Sequence, residues 1–237
     1  MDAVTHVPEP ANESVLEYAP GSPERAELQL RLLQLQSERC DLTNTIGGVS
    51  ELGGGEPIDV VQPHAHASVL GTMKNATADD AKRAVQAAED AAPSWGSLAY
   101  DDRAAVFLKA ADLLSGPWRQ TLNAATMLGQ SKTATQAEID AACELIDFWR
   151  FNVALRARDP RRAAGGQLQG VWNRLDHRPL EGFVYAITPF NFTAIAANLP
   201  TAPALMGNTV VWKPSPSQTL AAYYTMRLLE AAGLPPG

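Results

Sequence analysis

The chain has 237 residues, which is enough to bury a large core. With 46% apolar and 19% charged residues it is neither a predominantly disordered chain nor a collagen-like or disulfide-built one. A formal charge of −7 argues against nucleic acid or an anionic membrane as partner, because phosphates call for a basic surface. Cys40 and Cys143 are too few for a disulfide framework and form no CxxC pair, so a reducing cytoplasm is the expected compartment.

In chain order, residues 1–6 carry neither the basic nor the apolar stretch of a secretory signal. Pro8, Pro10, Pro20 and Pro23 predict an extended, unpacked arm over the first two dozen residues. Ser22-Pro23-Glu24 opens a helix with Leu28, Leu32 and Leu35 on one face. Residues 41–72 read as short strands and loops. Thr77–Asp80 is a capping box that opens an alanine-rich helix with Ala84, Val85 and Ala88 inward. A helix from about Asp101 has the stripe Val106, Ala110 and Leu113, and another follows Pro117. Thr133–Gln136, a second capping box, starts a long helix to about Val153. Its buried stripe is Ala142, Leu145, Ile146, Trp149 and Val153, with Asp140, Glu144 and Asp147 on the opposite face.

Residues 156–170 break that pattern with four arginines and few apolar anchors, as either a basic patch or a solvated linker would. Residues 171–178 alternate like a half-exposed strand. From Gly182 to Trp212 there is no charge. Pro189, Pro200, Pro203 and three asparagines exclude a membrane span and favour strands covered on both faces. The predicted order is strand Phe183–Thr188, helix about Ala194–Leu205, strand Thr209–Lys213 and helix Gln218–Ala232. Such a β-α-β-α unit has parallel strands and a right-handed crossover, and ligands sit beyond the strands' carboxyl ends. At those ends stand Thr188-Pro189-Phe190-Asn191 and Lys213-Pro214-Ser215.

Asn191 can donate toward a developing oxyanion, or simply cap the next helix. Lys213 suits a ribose hydroxyl or phosphate, or lies on the surface as an ordinary lysine. No GxGxxG or Walker loop is present, so the glycine pattern does not indicate cofactor binding.

Residues 184–193, VYAITPFNFT, followed by residues 208–215, NTVVWKPS, resemble the aldehyde dehydrogenase superfamily. Pro189–Thr193, Gln136–Asp140 and Glu144–Asn152 resemble its Δ1-pyrroline-5-carboxylate dehydrogenase branch, over about Asp41 to Gly237. The resemblance implies an α/β, aldehyde-dehydrogenase-like fold: an N-terminal helical region plus the first β-α-β-α of a parallel Rossmann-like sheet, truncated. It implies NAD-dependent oxidation of L-glutamate γ-semialdehyde to L-glutamate in proline degradation, by a cysteine nucleophile and a glutamate base. Asn191 matches the oxyanion donor. Thr188, Pro189 and Phe190 match the wall along the cofactor, and Lys213 and Ser215 the adenosine-ribose contacts. Phe192 matches an aromatic wall of the substrate tunnel, and Glu144 a residue near its mouth. Intact family members are homo-oligomers, built partly by strand exchange near residues 170–182.

The domain plan expected is an arm and helix over 1–40, a mainly helical part of the cofactor domain over 41–155, a linker and oligomerisation-type hairpin over 156–182, and an incomplete NAD-binding unit over 183–237. Cys40 and Cys143 match neither catalytic motif and read as structural. The nucleophile and base fall beyond residue 237, so the chain is expected to be the N-terminal portion of a longer enzyme and inactive alone. A local reading-frame shift over 156–170 is a further expectation. Two other functions compete: a weak dinucleotide-binding module, and an interaction piece docking on full-length partners.

Overall fold

The computed structural model describes residues 7–158, 170 and 177–236. The first helix, α1 (Pro23–Ser37), is capped by the Ser22 hydroxyl, which accepts from the Arg25 N–H, and it buries Leu28 and Leu35. Three strands follow that share a sheet in the order β1-β5-β4: β1 (Cys40–Asp41), β4 (Pro57–Gln62) and β5 (Ala65–Lys74). Between β1 and β4 lies a hairpin of β2 (Asn44–Ile46) and β3 (Val49–Glu51). β1 and β5 approach so closely at Gly71 that a Cβ there would lie 2.5 Å from the Cys40 carbonyl oxygen.

The helical part comprises α2 (Ala78–Ser97), α3 (Tyr100–Ser115), α4 (Arg119–Gln130) and the short α5 (Ala134–Ala137). α5 runs through a π-helical turn, Glu138–Cys143, into α6 (Glu144–Arg158). Both expected capping boxes form: Thr77 with Asp80, and Thr133 with Gln136. All five predicted stripe residues, from Ala142 to Val153, are buried. Leu145, Ile146, Trp149 and Val153 pack with Tyr100, Phe107, Leu114, Leu122 and Leu228 in the larger core. A second cluster joins Leu28, Leu35, Val60, Leu70 and Leu128, beneath the three-stranded sheet.

The last unit is β6 (Val184–Ile187), α7 (Thr193–Leu205), β7 (Val210–Lys213), a 3₁₀ turn (Pro216–Gln218) and α8 (Thr219–Ala231). β6 and β7 are parallel, as expected, and pair Val184 with Val210 through Ile187 with Lys213. Gly207 ends α7 at φ +93°, a left-handed conformation that only glycine adopts freely, with Arg103 and Pro179 close by. Among the described residues no helix is long and apolar enough to cross a membrane.

Four expectations need correction. The arm is extended but packed, because two carboxylates bind its backbone: the Leu16 N–H donates to the buried Glu138 (2.8 Å) and the Glu13 N–H to the half-buried Asp147 (2.7 Å). Of the stripe expected on α3, Ala110 is fully buried, but the buried face is centred on Phe107, Ala111 and Leu114, leaving Val106 and Leu113 half-buried. Asp140 is not on an outer face. It lies in the π-helical turn between α4 and the start of α7, and is 4% exposed. The long helix continues past Val153 to Arg158, because Ala157 joins the core and the Arg156 guanidinium stacks 4.9 Å from the Tyr100 ring centre. Residues 159–169 of the proposed frame-shifted stretch and 171–176 of the strand expected at 171–178 lie outside the described residues, and the last two of that strand, His177 and Arg178, are not in a strand.

Candidate functional site

The paired exits of β6 and β7 place the two chain segments singled out from sequence side by side. The Thr188 N–H donates to the Lys213 carbonyl (3.2 Å), one step beyond the last paired residues. Trp212 Nε1 donates to the buried Thr188 hydroxyl (2.9 Å), cross-linking the strands where they end. Past that link Pro189 is half-buried, while Phe190 and Asn191 are exposed. Lys213 is exposed and has no ion-pair partner among the described residues, and Ser215 is half-buried beside it in sequence.

Asn191 does not cap α7. The cap position is Phe192, and no side chain bonds there. A carboxylate from elsewhere does that work: Asp140 Oδ2 accepts the Thr193 N–H (3.2 Å), one of the amides a helix start leaves without an internal partner. Lys132 Nζ lies 2.5 Å from the same oxygen and 4.2 Å from the centre of the Phe192 ring. The Thr193 hydroxyl sits among Thr126 (2.8 Å), Gln130 (2.7 Å) and the buried Gln218 (3.5 Å).

Glu144 begins α6, just past the π-helical turn, and is half-buried. Burial raises its carboxyl above the usual range, the Asp140 charge adds to that, and Lys132 opposes it. Glu144 thus feels the charges of Asp140 and Lys132, and Lys132 lies over the ring of Phe192, the other residue assigned from sequence to the substrate region. The cysteines are elsewhere: Cys40 is half-buried in β1, and Cys143 is buried beside Arg119 and Glu138. Burial pushes the Cys143 thiol up to about 12, and the Glu138 charge adds to the shift. Among the described residues no cluster of histidine, cysteine, aspartate or glutamate is suited to a metal.

Sequence reasoning missed Lys132, Thr126, Gln130 and Thr193. Signals existed for two: Lys132 directly precedes a capping box, and Thr193 directly follows the Asn191-Phe192 pair.

Residues 51–237 match the model of the aldehyde dehydrogenase family. This chain belongs to that family. Among curated aldehyde dehydrogenase relatives, the Δ1-pyrroline-5-carboxylate dehydrogenase of Agaricus bisporus is 47% identical over 99% of this chain and 43% of its own length. The human mitochondrial Δ1-pyrroline-5-carboxylate dehydrogenase is 46% identical over 95% of this chain and 40% of its own. A crystal structure of the Mycobacterium tuberculosis enzyme of the same name, bound with NAD, superposes with a TM-score of 0.95 at 64% identity. It covers 100% of this chain and 44% of that one. The family resemblance read from residues 184–215, and the branch read from Pro189–Thr193, Gln136–Asp140 and Glu144–Asn152, are thus borne out. The chain spans less than half the length of these aldehyde dehydrogenases.

Proposed function

We propose that this chain is the N-terminal part of an NAD-dependent dehydrogenase that oxidises L-glutamate γ-semialdehyde to L-glutamate. One observation carries the reading: the in-register pairing of Ile187 with Lys213 puts Asn191 and Lys213 at the same end of one parallel sheet. An amide donor, and an ammonium with no ion-pair partner among the described residues, at that end fit an oxyanion and a dinucleotide ribose respectively.

NAD, when bound, supplies the two-electron acceptor. The Lys213 ammonium and Ser215 hydroxyl hold its adenosine ribose, and Thr188, Pro189 and Phe190 line its path. The Asn191 side-chain amide donates to the aldehyde oxygen as negative charge gathers there, a charge it stabilises more strongly than the neutral carbonyl. Phe192 walls the substrate tunnel and Glu144 stands near its mouth. The nucleophilic cysteine and the glutamate base belong to the rest of the enzyme, so residues 1–237 alone do not turn over. Two free cysteines fit a reducing cytoplasm, and the assembled enzyme is a homo-oligomer.

A chimera in which residues 1–237 replace the matching part of the M. tuberculosis enzyme should form NADH from the semialdehyde, while the isolated chain forms none. In that chimera Asn191→Ala should lower kcat by about 10²–10³. A chimera that folds and binds NAD but does not turn over would falsify the assignment.

A second reading, a non-catalytic interaction piece, is favoured by Tyr185 and Ile187. These side chains of β6 are 55% and 59% exposed on a two-stranded sheet. Size-exclusion chromatography with and without a full-length family member would reveal a co-eluting complex.

A further inference from the structure

The Asn191 loop has no cap of its own, yet it must hold its amide steady if it is to face a reacting oxygen. Its anchor comes from a distant element. Asp140 sits in the π-helical turn, 53 residues away, and takes the Thr193 N–H at 3.2 Å. Lys132 lies on the turn between α4 and α5, 2.5 Å from that carboxylate oxygen and 4.2 Å from the Phe192 ring centre. The ammonium thus touches both ends of the Phe192-Thr193 step: the ring directly, and the backbone through Asp140. An ammonium over a ring face and a carboxylate at a helix start are each attractive, and both strengthen as water is excluded. The side chains of Lys132 and Asp140 are only 15% and 6% exposed, so water competes little with either contact.

We propose that Lys132 and Asp140 are positioning residues: together they clamp the start of α7 and the Phe192 ring, and so fix where the Asn191 amide points. The clamp's catalytic meaning rests on the function proposed above; the clamp itself does not. A π-helical turn is costly and is retained where a local register must serve a site, which agrees with Asp140 being turned inward here. The clamp makes no contact with the reacting atoms. It acts through Phe192 and Thr193.

The test is amide hydrogen exchange on the 237-residue chain, with NMR of the Lys132 side chain. Asp140→Ala should speed exchange at Thr193 by at least about tenfold, the loss of one charge-assisted hydrogen bond. The second half of α7 and all of α8 should keep their protection. Lys132→Met should act in the same direction, and Lys132→Arg, which keeps the charge over the ring, should restore the slow exchange. The Lys132 ε-methylene protons should resonate upfield under the Phe192 ring current, and Phe192→Leu should remove that shift. Unchanged exchange at Thr193 in both Asp140→Ala and Lys132→Met overturns the proposal. So does equal loss of protection throughout α7 and α8, which would mark a purely structural pair. None of these readouts involves NAD or turnover, so failure of the clamp is distinguishable from failure of the enzyme reading.

Discussion

Arg119 and Glu138 meet side-on in the interior: Arg119 Nε lies 3.2 Å from both carboxylate oxygens of Glu138, and Nη2 closes on one of them. The remaining capacity of both groups goes largely to the arm. Glu138 accepts from the Leu16 N–H and the Tyr18 hydroxyl, while Arg119 donates to Glu13 (2.7 Å) and to the Ser14 carbonyl (2.7 Å). The ion pair therefore ties α4 to the π-helical turn and holds the arm across both.

Removing one partner leaves the other buried and uncompensated. Glu138→Gln should destabilise the chain by about 3–5 kcal/mol, read from the urea midpoint at constant slope. Replacing both, as Arg119→Met with Glu138→Leu, should cost less than either single change, because no lone charge remains.

The same pair sets an acid limit. Burial alone would raise the Glu138 carboxyl, but Arg119, the Leu16 N–H and the Tyr18 hydroxyl hold it below the usual carboxylate range. A carboxyl depressed on folding contributes stability that is fully present above its unfolded value, near 4.3, and lost as pH falls through its folded value. Arm residues 8–19 should therefore lose exchange protection below about pH 4 in the native chain. In Glu138→Gln that acid-induced step should be absent.

Glu144 behaves oppositely. Its carboxyl is raised by burial and by Asp140, so its ionisation opposes folding as pH climbs from the ordinary carboxylate value to the raised one. Asp140→Asn should move the Glu144 titration down, and Lys132→Met should move it up, as followed by carboxyl-carbon NMR. A Glu144 titration that ignores both changes would contradict the placement of these three side chains around one another.

Packing separates two leucines that look alike in sequence. Leu145 is fully buried in the larger core, whereas Leu30 on α1 is 59% exposed. Leu145→Ala should cost about 2–5 kcal/mol, and Leu30→Ala should stay within about 0.5 kcal/mol, both from thermal or urea unfolding.

What could be read from sequence was local. Thr77, Thr133 and the stripe from Ala142 to Val153 declare themselves within one or two helical turns, and the uncharged run around residues 182–212 marks two parallel strands, but not the cover on both faces expected of them: Tyr185 and Ile187 of β6 are exposed and β7 is only half-buried. The strand ends at Thr188 and Lys213 followed from that run, and with them the location of the candidate site. The arm did not, because its proline spacing says nothing of a buried carboxylate more than a hundred residues onward. Asp140 was misplaced because a regular 3.6-residue period cannot anticipate a widened turn. Lys132 went unnoticed because its partners, Asp140 and Phe192, come together only through the tertiary fold.

Cys143 gives this scaffold an unexpected chemical quietness. Burial and the neighbouring Glu138 charge raise its thiol to about 12, so it carries little thiolate at neutral pH. Peroxide and alkylating agents act on thiolates, so Cys143 should react with them slowly. A thiol-directed label applied to the folded chain will favour the half-buried Cys40 over the buried Cys143, although burial raises the Cys40 thiol as well, and so will report on the small sheet.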